Sequence, residues 1–247
     1  MLLALFLINL AAGLVLFLPL VGRRNAGVKF YRLVFVIGAT LALLAAAAHV
    51  IAHHRGLAVA DGVVVALTAL VFTVLRYPKR FIFRASVTLL GAAYVVAGVA
   101  AYDVAINPPY IVWSVLGALA SVGLLGSVTL AMTLGHWYLV VRGMAIDPLK
   151  RLAMATLYAT IFKIVVVIVA MIAGGVFREI AIRQGIFFWM RVGWGLLGPL
   201  LLFPMVWGTV KIRSTMAATG ILYVDVVAVV IGEVLGAWLS TLAHLPL

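Results

Sequence analysis

Four groups of residues in this chain have the type and spacing to do chemistry. His136, with Tyr158 and Tyr223 and a nearby Arg84 or Arg142, offers the donors that the two carbonyls of a quinone head-group require. His49 and His53, four apart, share one helical face and can hold one metal ion, with Asp61 adding an oxygen ligand, or can ligate an outer haem. The remaining two groups are opposite charges buried in apolar sequence: Lys163 with Asp225, and Arg191 with Glu233. Each charge costs about 2.5 to 3.5 kcal/mol near the middle of a membrane helix. Such pairs are either structural ion pairs that lower each other's insertion cost or parts of a proton or ion path.

Each group also has a plainer reading. His49, His53, His54 and His244 are expected at one boundary of the membrane, where interfacial histidines meet water and headgroups. Trp137 and Tyr138 fit an aromatic belt, and His136 can be satisfied by ordinary interhelical hydrogen bonds.

The elements that carry these residues are membrane helices. Of 247 residues, 67% are hydrophobic and 10% charged, against about half and a quarter in soluble domains. The mean hydropathy is +1.29. Apolar runs separated by polar breaks predict eight spans, at roughly 2 to 21, 33 to 52, 57 to 75, 82 to 102, 111 to 141, 152 to 175, 186 to 210 and 216 to 241. The expected fold is an all-α bundle of eight transmembrane helices with short loops, one polytopic domain over 1–247.

The cations set the orientation. Arg23, Arg24, Lys29, Arg32, Arg76, Lys79, Arg80, Arg84, Arg142, Lys150, Arg151, Lys211 and Arg213 occupy the odd-numbered breaks, and only Arg55, Arg178, Arg183 and Arg191 the opposite side. The positive-inside rule then predicts cytoplasmic odd loops and both termini outside, in a prokaryotic-type cytoplasmic (inner) membrane. The first run has no Lys or Arg before it and no clear small-x-small cleavage site, so it reads as a retained helix rather than a signal peptide. The net charge of +12 is spread over these loops and reads as topology, not nucleic-acid binding.

Depth, at 1.5 Å per residue, places Lys163 about 16 Å and Asp225 about 14 Å from the inner end, and Arg191 and Glu233 about 8 to 12 Å from the outer one. Gly123, Ser127, Ala131 and Gly135 recur every four residues and leave one stripe of the fifth span nearly bare, for a close helix or a flat ring. Gly232 and Gly236 bracket Glu233 in a GxxxG spacing that presses the last span against a neighbour or against its copy in a homodimer. Pro199 and Pro204 are expected to kink or unwind the seventh span.

Much is excluded. Zero Cys removes disulfides, thiolate zinc sites, Cys-ligated iron–sulfur clusters and covalent c-type haem. There is no Walker A, HExxH, GxSxG or DxxD motif, and no lysine in the last span for a retinal Schiff base. Six carboxylates, with Asp103 and Asp147 expected in loops, leave little for a two-carboxylate hydrolase. In length and number of spans the chain is similar to the quinol-oxidising membrane anchors of molybdenum oxidoreductases, a likeness of architecture that no motif extends.

Three functions follow as expectations. The first is an electron-transfer subunit binding b-type haem, quinone or both, through His136, Tyr158, Tyr223, His49 and His53. The second is a small proton-coupled transporter using Lys163, Asp225, Arg191 and Glu233. The third is a non-catalytic membrane scaffold within a larger complex. The lipid bilayer is the one partner common to all three.

Overall fold

The computed structural model describes residues 1–74, 80–141 and 143–247, with every side chain in them except those of Arg24, Val74 and Arg80. Arg76, Lys79 and Arg142, named above, lie outside the described residues, as do the side chains of Arg24 and Arg80. The regular elements among the described residues are all helices, with no strand, and eight of the helical stretches are long and apolar enough to cross a membrane. In order they begin with α1 (Leu2–Val21), α2 (Arg23–Ile51), α3 (Arg55–Val74), α4 (Arg80–Ile106), α5 (Ile111–Val140) and α6 (Asp147–Gly174). A short helix, α7 (Phe177–Arg183), follows. The seventh long stretch is composite: α8 (Gly185–Met190), a π-helical segment (Arg191–Leu197) and α9 (Gly198–Lys211). The last is α10 (Thr215–Ala243).

Several boundaries differ from the expected ones. Gly27 (φ 77°, ψ 169°) breaks α2, so a single turn over Arg23–Ala26 precedes the long helix. That helix begins after Gly27 and not near residue 33, because Lys29 and Arg32 are good helix formers whose long stems cover apolar surface while the charge stays in water. Helix α6 starts at Asp147, where an acidic first turn and Pro148 suit a helix N-terminus. Asp147 is therefore helical and not in a loop. Asp103 lies inside α4, where its Oδ1 accepts a 2.5 Å hydrogen bond from Ser114 Oγ.

Helix α5 runs through the middle of the bundle and touches α1, α4, α6 and α10. Its closest approach is to α1: a Cβ on Gly13 would strike the backbone of Gly126, and one on Gly126 the backbone of Gly13. In lipid, helices associate by packing and not by a hydrophobic drive, so small residues decide where backbones meet. The stripe at Gly123 and Gly135 lies instead against Ala159 of α6 and Thr219 of α10, so protein covers it. Around this centre the outer surface is apolar, with Val36, Leu89, Ile168, Leu201 and Val227 among its exposed side chains. An apolar exterior over long helices is that of a helical membrane protein.

Candidate functional site

Three charged residues from three segments meet inside the bundle. Glu233 of α10 accepts from Arg191 Nη2 at 3.0 Å through Oε1, and Lys163 Nζ of α6 lies 3.3 Å from its Oε2. The exposures of Lys163, Arg191 and Glu233 are 2%, 1% and 4%. Lys163 also donates to Ser121 Oγ of α5 at 2.8 Å, and Arg191 Nη2 to the Leu247 carbonyl at 3.3 Å. Two cations thus share one carboxylate where charge is expensive.

The sequence makes room for this locally. Arg191 opens the π-helical segment, which ends at Leu197, two residues before Pro199. A proline ring clashes with the carbonyl four residues back and cannot donate to it, and a wider turn upstream relieves that conflict. Small residues then let the segment sit on α10: a Cβ on Gly195 would stand 2.5 Å from Gly232 Cα. A Cβ on Gly236 would stand 2.7 Å from Arg191 Nε. The GxxxG pair therefore seats Arg191 within the chain, and the face named for a homodimer is occupied by the seventh span.

Sequence reasoning paired Lys163 with Asp225; the structure pairs it with Glu233. Asp225 is buried on α10, and its Oδ1 has no hydrogen-bond partner among the described residues. Arg191 Nε and Nη1 and Asn9 Oδ1 are likewise buried and unpartnered there. Beside Lys163 and Glu233 lies a small cavity of about 20 Å³, bordered by Asn9, Tyr102, Ser121 and Ser240. That is room for one water-sized occupant with several polar partners. These four residues escaped the sequence reading, although Asn9 stands as the one amide in an apolar helix and could have been flagged.

A second buried pair joins α2 to α3. His49 Nδ1 lies 2.7 Å from Asp61 Oδ2, and both side chains are buried. Below it Thr68 Oγ1 and Tyr94 Oη are 2.9 Å apart. His53, by contrast, is exposed and has a positive φ of 61°. Among the described residues no three His, Cys, Asp or Glu gather as a metal-ligand group, so His49, His53 and Asp61 do not close into one. His244 donates from Nδ1 to the Ile106 carbonyl at 2.8 Å, tying the end of α10 to that of α4.

The residues proposed for an inner quinone pocket are only partly together. Tyr223 Oη and His136 Nδ1 are 3.4 Å apart on the outer surface of the bundle, where both are exposed. Tyr158 is 62% exposed on α6. It lies 11 residues beyond the start of α6 at Asp147, not six, because that helix begins earlier than its apolar run. Arg84 lines a different cavity, with Arg23 and Arg151. No known protein family, curated protein or solved structure matches the chain.

Proposed function

We propose that the chain is a small proton-coupled membrane transporter in which Glu233 is the proton-coupling group. In this reading it crosses a prokaryotic-type cytoplasmic membrane eight times as one domain, with both termini outside. The observation that carries it is the carboxylate of Glu233 shared by Lys163 and Arg191. Intramembrane ionisable residues are costly, and a site with two cations and one carboxylate is sensitive to each proton it gains or loses. A proton arriving on Glu233 removes the charge that holds Lys163 and Arg191 together. The two cations then repel, and the pairing relaxes as Arg191 moves with its segment or as the proton leaves.

The helix that bears Arg191 is suited to such movement. It is π-helical at Arg191–Leu197, carries Pro204 further on, and meets α10 through glycines with no side chains to interlock. Asp225, eight residues before Glu233 and so about 12 Å along α10, is the second proton-binding group on the same helix.

The test is proton flux into proteoliposomes under an imposed pH gradient, followed with a trapped pH-sensitive dye. The wild-type protein is expected to carry protons above the empty-vesicle rate, and E233Q to fall to that rate while remaining monodisperse. Flux in E233Q equal to wild type defeats the reading.

The quinone reading keeps one observation, the meeting of His136 and Tyr223 on a face open to lipid, from which a lipid-soluble quinone would arrive. Its test is quinone binding by the purified protein. H136A is expected to weaken it by about 1 to 3 kcal/mol, the cost of losing a donor in the site. Unchanged binding removes His136 from it.

A further inference from the structure

A second candidate site lies at the end of the bundle where α1 finishes and α2, α4 and α6 begin; two of its arginines, Arg84 and Arg151, are exposed and Arg23 is half-buried. A cavity of about 510 Å³ there is lined by Arg23, Arg84 and Arg151, with Asn25, Tyr31 and Phe83. The three arginines come from three different helices, α2, α4 and α6. The backbone is shaped to bring the first of them in. Gly22 and Gly27 have φ of 74° and 77°, a region that residues with a Cβ enter at a cost, so Arg23–Ala26 forms a turn set off from the rest of α2. The Arg23 guanidinium stacks over the Phe83 ring at 5.2 Å, and Asn25 Nδ2 donates to the Val21 carbonyl at 3.2 Å. Tyr31 Oη donates to the Leu18 carbonyl at 3.1 Å.

Two of the three arginines carry their charge without a carboxylate beside them: among the described residues neither Arg84 nor Arg151 makes an ion pair, and Asp147, one turn before Arg151 on α6, does not reach it. The lining also includes the apolar side chains of Pro19, Val28 and Phe83. Arginine forks match phosphate oxygens, and a pocket lined by both arginines and apolar side chains fits an amphiphile better than a fully water-soluble anion. Basic pockets between membrane helices hold anionic headgroups in this way.

We propose that this cavity seats the phosphate of an anionic phospholipid, with Arg84 and Arg151 on its oxygens and the glycerol end against Pro19, Val28 and Phe83. The proposal is independent of the transporter reading. Lys29 and Lys150 lie at the same end of the bundle but outside the cavity lining, and so test whether binding needs the cavity's arginines or only positive charge at that end.

The experiment is native mass spectrometry of the purified protein in nonionic detergent, titrated with phosphatidylglycerol or phosphatidylcholine. Wild-type protein is expected to retain phosphatidylglycerol about tenfold more tightly, and R84Q/R151Q to lose that preference, while K29Q/K150Q keeps it. Equal losses in the two double variants, or no preference in the wild type, overturn the proposal. Displacement of the lipid by an equal concentration of glycerol 3-phosphate also overturns it, in favour of a water-soluble phosphate ester. If R84Q/R151Q is not monodisperse, R84K/R151K replaces it. That variant keeps the charge but loses the fork, and is expected to bind phosphatidylglycerol about threefold more weakly. Wild-type retention there counts against the site.

Discussion

The guanidinium of Arg191 rests on Gly236 of α10, so closely that a Cβ at 236 would lie 2.7 Å from Nε and 3.0 Å from Cζ. An arginine this size, 1% exposed, is accommodated only because α10 has no side chain there. G236A is therefore expected to displace Arg191 from Glu233 and to destabilise the protein by about 1 to 3 kcal/mol, the range for overpacking a close contact. Thermal unfolding in detergent measures it. A conservative control is G208A, where a Cβ meets nothing within 4 Å and little change is expected.

Removing Glu233's charge leaves Lys163 and Arg191 facing each other without a counter-charge. E233Q is expected to lose about 3 to 5 kcal/mol, as for one partner taken from a buried pair. K163M/E233Q deletes one of the repelling cations and should recover part of that loss, giving a coupling energy in a double-mutant cycle. Additive losses from the two substitutions would show that Lys163 and Glu233 do not interact.

The His49–Asp61 pair ties α2 to α3 at a position where both side chains are buried. D61L leaves His49 without its 2.7 Å partner and is expected to cost about 1 to 3 kcal/mol of stability. H49L/D61L replaces both polar groups by apolar ones and should lie closer to wild type than either single variant. If the double variant is instead the least stable, the pair is net stabilising beyond its own desolvation.

The spans were readable because they depend on composition over about 20 residues, which helix packing does not alter. The partner of Lys163 was not, since depth depends on where each helix begins. Counted from Asp147, Lys163 lies about 24 Å along α6; counted from Thr215, Asp225 lies about 15 Å and Glu233 about 27 Å along α10. With the start of α6 put five residues late, Lys163 matched Asp225; with the observed start it matches Glu233. The early turns of α6 hold Asp147, Lys150 and Arg151, which a hydropathy reading takes for a loop but which suit a helix emerging into water. The exposure of His136 and Tyr158 was equally hidden. A polar side chain in an apolar run gives its height in the membrane but not its face, and helix orientation comes from contacts such as Gly13 on Gly126 that involve other segments.

The lack of cysteine gives a clean background for testing the orientation proposed above. Lys29 and Lys150 belong to the breaks that hold most of the cations, and Arg55 and Arg178 to the opposite ones. Single substitutions K29C, K150C, R55C and R178C each place one thiol at a helix end without touching the buried charges. In intact cells a membrane-impermeant maleimide is expected to label R55C and R178C, and to reach K29C and K150C only after the membrane is opened. Labelling of all four from outside, or the reverse pattern, would remove the assignment of the cationic breaks to the cytoplasm. It would also move the arginine-lined cavity to the other leaflet, where the supply of anionic phospholipid differs, and the lipid titration would then be repeated with the lipids of that leaflet.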